Sequence, residues 1–486
     1  VDNLSGGAGN DIFTLNSKAE YSGALGSDII DGGAGTDTVT FTGSQNLSAA
    51  ELATISNTES WSIPDGSDIT LSDAVLAANP GLSFTFAGGG TISTGEDTLG
   101  KSLMTTALNI TATSAGNLKL VSSSSDDSFT FDATESLTND DTIDGNAGTD
   151  TINIQIDDEW SNPASADYGT GDSTTVAFDS DITNVEKLVL VDGATDNSAG
   201  DVGITIASGF TAAAFEIDGS ELDKNVTTTD GERLTVDNNA GATLVSLTVK
   251  GGEFSDNISS GAGADIIHGN GGADTLLGEA GNDTISGGAG NDSITGGAGV
   301  DSISAGAGND IIVVADKTHF QVSGGVETVD GGAGTADVLK FTNTEAITLT
   351  APELSKLVGI ESILLAHTTA STLTFGNETF TSLGQASLAI TTSSGDATTS
   401  IDGSAVTNGA FVMIDDGTNA NSDTMLGGSG DDTFRFSGTD GLDDGDSING
   451  YGGTDTIDVR NSVATNVVVD FADIKNIENI TVSKSA

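Results

Sequence analysis

The 486-residue chain sets 72 Asp and Glu against 14 Lys and Arg, a formal charge of -58, which repels nucleic acid and anionic lipid and leaves metal cations as the natural counterions. Only 36% of it is hydrophobic and 5% aromatic, too little for one large globular core, and the lack of any cysteine excludes disulfide scaffolds, thiol nucleophiles, zinc-thiolate sites and iron-sulfur clusters. No apolar run approaches the length of a membrane span, and the first residues lack an initiating Met and signal-peptide character, so the visible chain reads as a soluble fragment with no membrane insertion.

Acidic, glycine-rich composition also fits disorder, but two scales of repeat overrule that reading. In chain order, a first module over 1–65 opens with GNDIFTL from Gly9, continues through SDIIDGGAGTDTVTF and closes on NTESWSI with Glu59. A β-rich spacer over 66–121 follows, with strand-like LSFTFAGGGTIS from Leu82 and LNITATSAGNLKLVSS from Leu108. The second module, 122–192, runs from DDSFTF at Asp126 through DDTIDGNAGTDTINI to TNVEKLVLV with Glu186, and a second spacer covers 193–250. The third, 251–366, includes GNDIIVV from Gly308, VETVDGGAGTADVLKF and VGIESILLA with Glu361. After a spacer over 367–421 carrying LAITTSSGDATTSID from Leu388, the fourth module, 422–486, repeats the pattern as DDTFRF from Asp431, GDSINGYGGTDTIDV and KNIENITVS with Glu478.

The modules align in acidic columns: Asp28, Asp141, Glu327 and Asp446 in one, Asp37, Asp150, Asp337 and Asp455 in the next. The third copy departs, with one residue inserted at Ala336 and Glu327 in place of Asp. The closing phrases alternate polar and apolar residues as strands do, and their glutamates offer either a ligand oxygen or a register and turn-capping contact. A short helical turn precedes the phrase in three modules, as in APELSKL from Ala351 and DFADIKN from Asp470, with Pro352 suited to a first helical position. The spacers, rich in Thr, Ser and Val, predict further solenoid coils or small β-layers without long helices. Few prolines and no Pro-rich or Ser-Gly linker favour a continuous rod.

Between 251 and 313 a stricter period appears. Asp256, Asp265, Asp274, Asp283, Asp292, Asp301 and Asp310 recur every nine residues, each followed two places on by an aliphatic residue: Ile258, Ile267, Leu276, Ile285, Ile294, Ile303 and Ile312. Glycine fills most places ahead of each aspartate, as in GGAGNDSIT and GGAGVDSIS. Glycines permit a tight turn with positive φ, and the three residues after it form a very short strand, so each nonapeptide is half a coil. The aliphatic residue points inward, and stacked copies make one narrow apolar column between two parallel sheets. Stacking also brings aspartates to strand spacing, where each like-charge pair costs on the order of 1 kcal/mol even in water, so the stack needs a cation. Calcium fits: a hard ion taking six to eight oxygens, served here by carboxylates and by carbonyls that glycine leaves exposed. His268, His319 and His367 are scattered without ligand spacing and read as surface residues.

These repeats match the motif GGxGxDxUx nearly letter for letter, and the chain thereby resembles the RTX or hemolysin-type calcium-binding proteins. The resemblance implies an all-β fold, a parallel β-roll or β-solenoid rod, export through a type I channel, and several Ca2+ ions held between successive turns by motif aspartates and loop carbonyls. Carried onto this sequence, the carboxylates are Asp11, Asp28, Asp31, Asp37, Asp127, Asp141, Asp144, Asp150, Asp256, Asp265, Asp274, Asp283, Asp292, Asp301, Asp310, Asp330, Asp337, Asp432, Asp446 and Asp455. The carbonyls are those of Gly7, Gly9, Gly33, Gly35, Gly272, Gly281, Gly288, Gly290, Gly297, Gly299, Gly308, Gly332, Gly334, Gly428 and Gly430.

Enzyme chemistry finds no footing in the sequence. There is no HExxH or GxSxG, GGSGDD at 427–432 lacks the final glycine, and no glycine run is followed by GK[ST]. Pairs such as Asp157 and Asp158 lack the divergent environments an acid–base pair needs. Modules with N-x-E strand phrases and Thr, Ser and Ala-rich strands look most like Gram-negative surface-layer proteins, a secreted lattice of self-associated copies whose outer-membrane polysaccharide anchor would lie outside this fragment. The rival reading is a secreted adhesin or biofilm-matrix filament.

Overall fold

The computed structural model describes residues 2–17, 22–23, 26–86, 90–93, 106–112, 117–131, 137, 141–156, 174–178, 180–192, 202–207, 210, 212, 214–222, 233–238, 245–315, 328–342, 346–366, 370–392, 399–415, 422–437, 442, 445–461 and 472–484. Its packing separates two units, Val1–Phe254 and Ser255–Ala486.

In the first unit a long parallel sheet takes one short strand from each coil: Ile12–Leu15, Thr38–Phe41, Ser60–Ile63, Ser83–Phe86, Asn109–Ala112, Ser128–Phe131, Thr151–Ile156, Lys187–Asp192, Ala214–Asp218 and Ser246–Lys250. Most intervening strands up to Ile182–Thr183 join shorter parallel sheets, among them Asn3–Ala8 with Ile29–Ala34 and Ile55–Ser56, whereas Thr174–Phe178, Val202–Ile206 and Leu234–Asp237 pair with one another in a longer one. Only the two-residue strands Ser22–Gly23 and Gly26–Ser27 pair antiparallel among the described residues. The strands alternate buried and half-buried residues, as in SFTF at 83–86, so Phe and Ile face inward and Ser and Thr face out.

The second unit has the same design. One sheet runs from Asn257–Ser259 through Thr275–Leu277, Ser293–Thr295, Ile311–Val314 and Val338–Phe341 to Asn479–Lys484. Another holds Ile266–Gly271, Thr284–Ala289, Ser302–Ala307, Thr328–Asp330 and Leu357–Val358. Successive nonapeptides therefore go to alternate sheets. The expected single aliphatic column is two: Ile258, Leu276, Ile294 and Ile312 stack in one register, and Ile267, Ile285 and Ile303 in the other. All seven are at most 2% exposed, so each coil contributes one Ile or Leu per sheet to a continuous core, at about 1.5–3 kcal/mol per buried side chain.

The spacers continue these sheets as wider coils, and aromatics from the spacers and the adjoining modules fill them. Trp61 sits edge-on between Phe41 and Phe84, with centroids 5.8 and 5.6 Å away, and its indole N–H donates to Thr58 Oγ1 at 2.8 Å. Phe178, Phe210 and Phe215 form a second cluster, Phe375, Phe380 and Phe411 a third. Helices are short. Ala49–Leu52 and Ala351–Leu354 precede the closing phrases of their modules, and in both a glutamate caps the first turn: Glu51 Oε2 accepts the Ser48 amide at 2.9 Å, Glu353 Oε2 the Thr350 amide at 2.7 Å. Pro352 lies one place after the position expected for it, still in the first turn where its missing N–H leaves no gap. In the fourth module Ala472 and Asp473 form only a turn, and Asp470 and Phe471 lie outside the described residues.

Candidate metal sites

Each glycine turn ends on a motif aspartate whose carboxylate reaches back one coil. On one edge of the nonapeptide stack the amide of Asp256 donates to Asp274 Oδ1 at 2.8 Å, Asp274 to Asp292 at 2.9 Å, Asp292 to Asp310 at 2.7 Å and Asp310 to Asp337 at 2.8 Å. On the other edge Asp265 donates to Asp283 and Asp283 to Asp301, both at 2.9 Å. The same contact joins Asp11 to Asp37, Asp127 to Asp150 and Asp432 to Asp455. The insertion at Ala336 is absorbed in the turn, leaving Asp337 in line; Glu327 lies outside the described residues.

The second carboxylate oxygens face inward. Oδ2 of Asp11, Asp37, Asp150, Asp274, Asp283, Asp292, Asp310, Asp337 and Asp455 is buried with no hydrogen-bond partner, a state that costs free energy unless something else supplies positive charge. Except for Asp310, whose turn begins with Ala305, each lies beside the first glycine of its own turn. A Cβ on Gly278 would lie 2.5 Å from both Asp283 Oδ2 and the Gly296 carbonyl oxygen, so a carboxylate and a carbonyl from the next coil converge where glycine alone leaves room. The grouping recurs at Gly6, Gly32, Gly145, Gly269, Gly287 and Gly450.

The turns stack equally closely. A side chain on Gly281 would overlap the Gly263 carbonyl, and Gly290, Gly299 and Gly308 press in the same way on Gly272, Gly281 and Gly290. Carbonyls of Gly7, Gly9, Gly288, Gly308 and Gly430 likewise meet Gly33, Gly35, Gly306, Gly334 and Gly453 of the following coil. Gly297 and Gly332 rest on the carbonyls of Glu279 and Gly306, and Gly428 on that of Val406.

Other sequence candidates are placed differently. The carboxylates of Asp28, Asp141 and Asp446 accept the amides of Asp2, Leu118 and Asp423 at 2.7, 2.8 and 3.0 Å, a second column. Asp127 and Asp432 each also use Oδ2, for the Ser123 and Gly428 amides. Asp31 and Asp144 accept side-chain N–H from Asn57 and Asn184, both at 2.7 Å, and Asp330 accepts the Gly332 amide at 2.9 Å. His268 is half-buried on a strand; His319 and His367 lie outside the described residues.

Sequence reasoning did not single out Asp2 and Asp423 as column members, nor Asn57, Asn184 and Asn476. These asparagines have φ of 50°, 53° and 55°, a left-handed conformation that Asn tolerates, and the N-x-E spacing was the available signal. The glutamates of these phrases do cap: Glu59, Glu186, Glu361 and Glu478 accept through Oε2 the amides of Asp37, Asp150, Asp337 and Asp455, at 2.7 to 2.9 Å.

Burial raises the pKa of several of the aspartates, and neighbouring carboxylates add to it. Asp150, Asp274 and Asp283 are pushed up to about 7 and Asp310 and Asp432 to about 6. The column thus resists holding its charges without a cation. Among the described residues no three acidic or histidine side chains converge on one point, so a bound ion must draw on main-chain carbonyls as well. Paired carboxylates, carbonyls and no nitrogen or sulfur are the oxygen set of a hard cation such as calcium.

A parallel β-roll with glycine turns and buried, unpartnered aspartate oxygens on its edges defines a cation-dependent repeat protein. The model of the RTX calcium-binding nonapeptide repeat matches residues 1–17, 21–43, 137–153, 250–285, 277–312 and 418–435. The chain carries RTX nonapeptide repeats, and these repeats bind several calcium ions. No curated protein matches it. No helix among the described residues is long and apolar enough to cross a membrane.

Proposed function

We propose that the chain is an extracellular structural protein that folds on taking up calcium and then associates with its own copies in a layer on the outer face of a Gram-negative cell. The observation that carries this reading is the set of buried, unpartnered Oδ2 atoms, a row of them in the nonapeptide stack and at least one in every module. Bound calcium supplies the compensating charge and six to eight oxygen positions. Without it, the carboxylates of successive coils oppose stacking and the aliphatic columns cannot close.

In calcium-poor cytosol the chain stays extended and fit for export through a type I channel, as is typical of RTX proteins; outside, it orders. The formal charge of -58 far exceeds what the columns bury, so copies repel until a divalent cation screens the acidic surface. The same ion therefore permits both folding and lateral association. Negative-stain imaging while calcium is raised from chelator to about 10 mM, above the ~10⁻⁴–10⁻³ M range of extracellular calcium modules, tests the assembly. Ordered sheets support the layer; filaments or single particles overturn it in favour of an adhesin or matrix filament.

A further inference from the structure

We infer that three modules close on a calcium site of mixed composition, in which Glu59, Glu186 and Glu478 stand where the next motif aspartate would be. The register places them there. Thr38 pairs with Ser60, Thr151 with Lys187 and Thr456 with Asn479, so each glutamate lies opposite Asp37, Asp150 or Asp455. Each accepts that aspartate's amide through Oε2, the task that a motif aspartate's Oδ1 performs inside the stack.

The rest of the site is also built. Asp37, Asp150 and Asp455 are fully buried, and their Oδ2 atoms lack a hydrogen-bond partner. Each is aimed at a turn glycine, Gly32, Gly145 or Gly450, that also faces a carbonyl oxygen from the capping turn, that of Asn57, Asn184 or Asn476. That turn is short: its left-handed asparagine stands two residues before the glutamate, whereas Gly296 stands five before Asp301. The extra methylene of glutamate suits the shorter approach. With Oε2 on the amide, Oε1 is the oxygen available to an ion beside the buried Oδ2. Glu361 is not included, because its Oε1 accepts from Gln385 Nε2 and it serves as a cap alone.

The proposal rests on calcium-dependent folding, and its test separates the two. Bound calcium is counted by native mass spectrometry for the unsubstituted chain and for Glu59→Gln, Glu186→Gln and Glu478→Gln, with folding followed by circular dichroism. Glutamine keeps an oxygen for the amide but not the charge, so a pure cap predicts an unchanged count. The mixed site predicts one ion fewer for each substitution, and an unchanged count in folded variants overturns it. Should a variant not fold, carbodiimide labelling of carboxyls in the calcium-loaded natural chain decides. Glu59 should be protected at least tenfold relative to the helix-capping Glu51, and equal labelling overturns the site. A natural chain that binds no calcium would instead defeat the underlying reading.

Discussion

The main-chain amide of Asp274 donates to Asp292 Oδ1 at 2.9 Å while Asp292 Oδ2 remains buried and unpartnered. One carboxylate thus splits its work: the first oxygen sets the register of two coils, and the second waits for a cation. Replacing the charge while keeping the acceptor separates the two tasks.

Asp283→Asn and Asp292→Asn retain an oxygen for the amides of Asp265 and Asp274 but remove a ligand charge. Each ion lost subtracts roughly 1.4 kcal/mol at ten times its dissociation constant. The calcium midpoint of folding, read by circular dichroism, should rise in the double variant; an unchanged midpoint contradicts the role given to these oxygens.

Gly281→Ala tests the stacked turns. Gly281 has φ of 154°, and any Cβ there would overlap the Gly263 carbonyl, so strain and overlap together cost about 2–3 kcal/mol or more. At Gly43, with φ of 77° and nothing within 4 Å, alanine meets only the left-handed penalty of roughly 1–2 kcal/mol. Urea melts in calcium should show the larger loss at Gly281; equal losses would refute the stacking argument.

Acid should partly replace the metal. The calcium-free folded state holds Asp150, Asp274 and Asp283 at about 7, above the ordinary aspartate value near 3.9 in an unfolded chain. The folded chain therefore binds more protons between those values, a stabilisation complete below about pH 4 and lost as pH rises through about 7. In chelator, acidifying from about pH 8 to about pH 5 should increase β-structure by circular dichroism. A decrease over that range contradicts the burial of these carboxyls.

The nine-residue period was legible because it is local: Asp274, Leu276 and the glycines before them recur in phase with Asp283, Ile285 and their own glycines in the next repeat. Inward Ile and Leu, glycine turns and short stacked strands follow from that phase alone, and the resemblance to RTX repeats supplied the β-roll. The alternation between two sheets is a property of whole coils, so the two aliphatic columns did not follow from a single repeat. Partner choice was also hidden, since Asp144 and Asn184 meet across 40 residues, a separation that no nine-residue period gives. Similarly, the Trp61 and Phe411 clusters depend on which strands the wider coils bring into register.

The most direct test of the central claim is circular dichroism at about pH 7.5 while calcium is raised from chelator to about 10 mM. The account requires a largely unstructured chain in chelator that converts cooperatively to β-structure over the ~10⁻⁴–10⁻³ M range. Full β-structure in chelator, unchanged by calcium, would contradict it.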